Sequence, residues 1–380
     1  MYEAHLNQKK RDWDWPLLAA TLGLLVVGVF FVLSATGEAA SELPLYRQKF
    51  FQQIFWCAGG LGASAAVCLV DYGKLVRWSR VIYWGSILSL LAVLVVGVVR
   101  YGGKRWIHLG GFYLQPSEFA KIAFILMLAD YLSRPVEELR RPRVFFAALG
   151  YTALPFVLIW KEPDLGSTLA LVSVCLVLMF VAGVPNRFLR RLAGCVAPVV
   201  ILVVVVALFA PKIGLVKSYQ ADRIRSFFGF SVKNDADYNV RQSLISVGSG
   251  GFWGKGWRRG TQHQLGFLPQ VGAYNDFIFS VIAEEEGFVG SVVILTLYAV
   301  LLFSGIKVAS QARDRLGQLL AVGVVTLLFT HVFINIGMNI RLMPVTGIPL
   351  PLVSYGGSSV VCSLIAIGIL HNVHIYRKSY

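Results

Sequence analysis

The chain has 380 residues, of which 56% are hydrophobic and only 14% charged, and its formal net charge is +15 at pH 7. A soluble domain usually carries about 25% charged residues, so the composition argues against a globular enzyme. Apolar runs of about 20 residues, the length that crosses a bilayer core of roughly 30 Å, recur along the whole chain instead.

The runs predict ten spanning helices near 16–35, 51–70, 81–99, 117–133, 143–160, 166–183, 190–210, 284–306, 317–340 and 353–375. The expected fold is all-α and polytopic, a single integral membrane domain over 1–380. The first run is too long for an ordinary signal segment and reads as an uncleaved anchor. With the N-terminus inside, the cytoplasmic segments hold eighteen Lys or Arg: Lys9, Lys10, Arg11, Lys74, Arg77, Arg80, Arg134, Arg140, Arg141, Arg143, Arg187, Arg190, Arg191, Lys307, Arg313, Arg315, Arg377 and Lys378. The short outer loops hold seven. That asymmetry places both termini in the cytoplasm, and it accounts for the net charge without nucleic acid.

In the second span, GGLGASAA at 59–66 imitates a dinucleotide loop, but no strand precedes it, and small-residue helix packing fits better. The fourth to sixth spans are short and broken by Pro or Gly. Such breaks are tolerated where backbone lines a cavity or packs in protein. Glu118 and Lys121 stand at i and i+3 in the fourth span and share a helix face. A structural ion pair and a cavity function fit them equally. Asp164 opens the sixth span in EPDLGS, where a helix cap is the favoured role.

Residues 211–275 form a large outer loop between the seventh and eighth spans, with nine Lys or Arg and three acids, Asp222, Asp235 and Asp237. Long translocated loops escape the charge rule. An anionic ligand and anionic lipid headgroups explain the excess equally well. Within the loop, GSGGFWGKGW at 248–257 lacks the Ser or Thr and the glycine spacing of a P-loop. Asp276 follows, next to Phe277-Ile278-Phe279. A carboxylate at the membrane interface beside a basic loop suits a general base for a lipid-anchored hydroxyl. On residue type alone a helix N-cap is the commoner role. Glu284 would then lie about 80° round the helix from it, off the reactive face.

His371 and His374 are one turn apart with no third ligand nearby, so no zinc site is read. The cysteines Cys57, Cys68, Cys175, Cys195 and Cys362 lie in apolar runs, odd in number and without CxxC, and read as buried packing thiols.

Several segments together resemble the shape, elongation, division and sporulation family. They are LQPSEFAKI at 114–122, EPDLGS at 162–167, GSGGFWGKGW at 248–257, DFIFSVIAEEEGFVG at 276–290, NIGMNIRLMPVTG at 335–347 and GIPLPLVSYGGSS at 347–359. They cover most of the chain in the family's order. GTQHQLGFLP and PVTGIPLP are similar to the elongation branch rather than the division branch. The resemblance implies a glycosyltransferase that polymerises lipid II into glycan strands at the outer face of the cytoplasmic membrane. It implies a class B penicillin-binding protein as transpeptidase partner within the elongation machinery. It matches Asp276 to the family's essential acid, Glu118 and Lys121 to its buried pair, and Arg105 and Arg223 to its arginines. With Lys255, the two arginines are candidates for the leaving pyrophosphate, where a divalent cation (Mg or Mn) is the only cofactor to consider. One departure is LPQVGAYNDF, where Gln270 and Asn275 replace an acid and a threonine. A lipid-linked oligosaccharide flippase or transporter is the rival, since broken helices and buried charge also mark transport pathways.

Overall fold

The computed structural model describes residues 12–36, 44–100, 103–110, 112–210, 218–230 and 235–378. Lys9, Lys10 and Arg11 of the orientation count lie outside them. Ten helices of 17 residues or more occur among the described residues: α1 (Trp15–Ala35), α2 (Lys49–Leu69), α3 (Ser79–Val96), α4 (Pro116–Leu132), α5 (Pro142–Lys161), α6 (Leu165–Val181), α7 (Asn186–Phe209), α8 (Ile278–Ser310), α9 (Arg315–Asn339) and α10 (Gly357–Ile375). Seven are long and apolar enough to cross a membrane: α1, α3, α5, α7, α8, α9 and α10. The molecule is mostly helical and polytopic.

The helix ends follow from local chemistry. Asp14 accepts from Leu17 N at 3.0 Å and caps α1. Asp314 caps α9 through Gly317 N at 2.8 Å. Pro116 and Pro142 start α4 and α5 at first-turn positions, where a missing N–H costs nothing. Burial separates centre from rim. The apolar windows of α9 and α10 are 78% and 83% buried, that of α7 only 6%. α10 packs on α2, α9 on α6 and α8, and α4 on α3, α6 and α9. α7 lies at the rim of the bundle, so Cys195 is exposed, against the expectation of a buried thiol, while the other four cysteines are buried.

Two features depart from the sequence reading. The fold is not purely α, because β1 (Val98–Arg100), β2 (Gly103–Leu109) and β3 (Phe112–Leu114) form an antiparallel sheet in the order β1-β2-β3 between α3 and α4. β1 and β3 have only three residues each, and β2, GKRWIHL, does not alternate apolar and polar side chains, so no period-2 signal stands out beside the apolar runs. The eighth helix also starts earlier than 284, at Ile278, and breaks at Gly287 (φ 63°, ψ −157°). The glycine-rich segment 250–256 docks on the break. Lys255 N donates to Glu284 O at 3.0 Å and Gly256 N to Glu285 O at 2.8 Å. Phe288 N and Val289 N donate to Gly251 O and Phe252 O at 2.9 and 3.2 Å. The loop backbone thus replaces the hydrogen bonds that the helix gives up. Gly287 is required twice, for its positive φ and because a Cβ there would lie 2.3 Å from Gly254 N.

Between α7 and α8 the described chain forms helices Ser218–Phe227, Asp235–Ser249, Thr261–Gln264 and Gln270–Tyr274. The segment 345–356 between α9 and α10 is irregular and largely buried, and packs against the chain around Asn275 and Asp276.

Candidate active site

Asp276 stands between the short helix Gln270–Tyr274 and α8. It does not cap α8, whose N-cap position is Phe277 and whose first turn has no side-chain cap. Its backbone is held instead. Asn335 and Asn339 of α9 both donate Nδ2–H to Asp276 O, at 3.0 and 3.1 Å. Asn335 also donates to Ile348 O at 2.7 Å. Ser354 Oγ donates to Asn275 O at 2.6 Å, and Tyr355 N to Tyr274 O at 2.8 Å. The asparagine-rich end of α9 and the 347–356 segment therefore fix the peptide while leaving the carboxylate beside a cavity. Gly347 stands on the facing wall with φ 75°, a left-handed conformation that favours glycine, and a Cβ there would lie 3.4 Å from Asp276 Oδ2, in ordinary contact.

The cavity has a volume of about 400 Å³, and its walls include Arg105, Glu118, Asp164, Arg223, Asn275, Asp276, Tyr355, Ser358 and Ser359. Four side chains singled out in the sequence from separate segments, Arg105, Glu118, Arg223 and Asp276, thus meet at one place. Arg105 comes from β2. Its Nε donates to Glu162 O at 2.9 Å and its Nη2 to Pro163 O at 2.5 Å, so the turn between α5 and α6 fixes the guanidinium. Asp164 caps α6, accepting from Ser167 N at 3.0 Å and Ser167 Oγ at 2.9 Å, and also lines the cavity. Arg223 reaches the cavity from helix Ser218–Phe227. The first residues of α10 join the wall, and the positive end of a helix favours an anion there.

Burial pushes the Asp276 carboxyl up to about 6, against the opposing pull of Arg223 and Arg105 and with a push from Asp164. It remains ionised at neutral pH and basic enough to accept a proton. Burial and Asp164 push Glu162 up to about 8 against Arg105. Both of its carboxyl oxygens are buried without a hydrogen-bond partner, so it is neutral at pH 7.

Two sequence candidates sit elsewhere. Lys121 is buried behind the wall, its Nζ 2.7 Å from Glu118 Oε1 and 3.1 Å from His331 Nε2. Lys255 is not among the lining residues. Its Nζ is 2.5 Å from Glu284 Oε1 and 2.8 Å from Thr261 Oγ1. Glu284 Oε1 also accepts from Thr261 N at 2.8 Å, and Glu284 Oε2 from Ser246 Oγ at 3.0 Å. Glu285 accepts from Ser34 Oγ at 2.6 Å. Glu284 and Glu285 therefore clamp the 250–264 loop and α1 to α8, and the helical wheel drawn from Asp276 does not apply because Asn275 and Asp276 precede the helix. Gln270's side chain lies outside the described residues. Asn335, Asn339 and His331 were missed as site residues, although NIGMN carried the first two.

A family model described as a cell cycle protein, covering FtsW, RodA and SpoVE, matches residues 16–379. The peptidoglycan glycosyltransferase MrdB of Escherichia coli K12 is 35% identical over 380 residues, covering 97% of each chain. The stage V sporulation protein E of Bacillus subtilis 168 is 36% identical over 384 residues, covering 98% of this chain and 100% of that one. Among solved structures, a chain from a peptidoglycan synthase complex that coordinates polymerization and crosslinking superposes with a TM-score of 0.79 at 28% identity, covering 97% of this chain and 99% of that one.

Proposed function

The chain belongs to the FtsW, RodA and SpoVE family of cell cycle proteins, and we propose that it is a RodA-type peptidoglycan glycosyltransferase that polymerises lipid II for cell-wall elongation. The observation that carries this reading is the cavity in which Asp276, with its carboxyl pushed up to about 6, faces Arg105 and Arg223. The activity in the name of the Escherichia coli relative supports it.

The geometry suits a single displacement. The 4-hydroxyl of the acceptor sugar attacks the anomeric carbon of the donor, and its proton goes to the Asp276 carboxylate. The bond from the anomeric carbon to the pyrophosphate oxygen breaks, and undecaprenyl pyrophosphate leaves with the electron pair. Arg105, Arg223 and the α10 N-terminus are placed to stabilise that charge. One displacement inverts the anomeric centre. Among the described residues no cluster of three or more His, Cys, Asp or Glu could hold a metal ion.

The ten long helices and the Lys and Arg asymmetry support ten spans, both termini in the cytoplasm, and residues 211–275 on the outer side of the inner membrane. The solved complex supports a class B penicillin-binding protein as partner, which supplies the crosslinking. Purified protein, with and without that partner, should convert lipid II into glycan strands. Translocation of lipid II across vesicles without polymer would favour a flippase and overturn the reading.

A further inference from the structure

The Glu118–Lys121 pair touches a residue the mechanism above does not use. His331 lies on α9, is buried, and brings Nε2 to 3.1 Å from Lys121 Nζ. An ammonium has three donors and no acceptor, so the imidazole nitrogen is the acceptor and His331 is the neutral ring with its proton on Nδ1. Lys121 Nζ therefore lies between a carboxylate of its own helix and an imidazole from another. Lys121 itself does not line the cavity, whereas Glu118 does.

The position of His331 on α9 links the two sides of the site. His331, Asn335 and Asn339 recur every four residues, which places them on neighbouring turns of roughly one face. The two asparagines hold the Asp276 carbonyl, and His331 holds Lys121. One face of one helix thus contacts both the acid that takes the proton and the pair beneath the opposite wall.

We propose that His331 is a positioning residue for the glycosyltransferase site: by accepting from Lys121 it fixes the ammonium against Glu118, and so fixes the Glu118 carboxylate at the cavity wall relative to Asp276. This rests on the function proposed above. Without the imidazole, Lys121 keeps its charge but loses one of its two contacts, and Glu118 follows it away from the wall.

The test measures lipid II polymerisation by the full chain with its transpeptidase partner, for wild type, His331→Leu, His331→Gln, Lys121→Met and the Lys121→Met/His331→Leu double variant. Thermal unfolding and partner co-purification are recorded for each. A hydrogen bond to a charged group predicts a loss of about tenfold or more for His331→Leu. His331→Gln keeps an acceptor oxygen and should stay within about threefold of wild type. In the Lys121→Met background, His331→Leu should have almost no further effect, because the group it holds is gone. Should His331→Leu not give monodisperse protein, His331→Met, which conserves volume, carries the same comparison. Wild-type rates in His331→Leu, equal losses in the Leu and Gln variants, or additive losses with Lys121→Met would each overturn the proposal. Absence of polymerisation by the wild type would instead overturn the function it rests on.

Discussion

Asp276 and Glu162 are both carboxylic acids pushed up by burial, yet they differ in what surrounds them. Asp276 faces Arg105 and Arg223 across a cavity, so it titrates near 6 and is a carboxylate at neutral pH. The rate of polymerisation at low lipid II should therefore rise with pH through about 6 and level off above it, because only the ionised form accepts the proton. A rate independent of pH between 5 and 7.5 would separate Asp276 from the chemistry. Glu162 contacts Arg105 only through its backbone carbonyl, and its carboxyl titrates near 8. Its ordinary value is 4.5, so the folded chain binds a proton that the unfolded chain releases between those values. Stability therefore falls as pH rises from about 5 to 8. Glu162→Gln removes that proton linkage. Its melting temperature should gain on wild type as pH rises across this window, with activity retained. A constant difference at pH 5 and pH 8 would show that Glu162 is not neutral in the fold.

At the scale of elements, α8 and the loop that crosses it hold Lys255 against Glu284, apart from the residues that line the cavity. Lys255→Met would strand the fully buried Glu284 carboxylate with only its neutral donors. Breaking a buried pair is strongly destabilising, and because Lys255 is partly exposed, about 2 kcal/mol is expected here. A lower melting temperature with an unchanged KM for lipid II is the expected result, whereas Arg223→Gln should raise KM or lower kcat with little change in melting temperature. A Lys255→Met protein that melts normally but binds lipid II poorly would return Lys255 to the site. The apolar runs located ten long helices because burial thickness is a local property of composition. Asp276 was locatable from the residues that follow it. The break at Gly287 and the docking of 250–256 on it were not, since both arise from backbone pairing between residues 29 to 37 positions apart. The β1–β3 sheet was hidden because β1 and β3 have three residues each and the seven of β2, GKRWIHL, do not alternate apolar and polar. The asparagines that hold Asp276 lie some 60 positions away, and no spacing rule connects them.

At the scale of the molecule, the proposed reaction requires the cavity to open on the outer side, where lipid-anchored donor and acceptor meet. In a chain whose native cysteines are replaced, a cysteine at Trp253, which is 76% exposed in the 248–257 segment, should react with an impermeant thiol reagent in spheroplasts, and one at Arg140 should not. The reverse pattern would invert the topology. In the proposed mechanism one carboxylate does the proton transfer while the rest of the fold positions it. Asp276→Asn tests this most directly, because Asn keeps the size of the side chain and leaves intact the carbonyl that Asn335 and Asn339 hold. Purified Asp276→Asn protein should fold, melt and bind its partner as wild type does, while lipid II polymerisation falls by about 10²–10⁴-fold. Glycan strands formed by that variant at the wild-type rate would contradict the account.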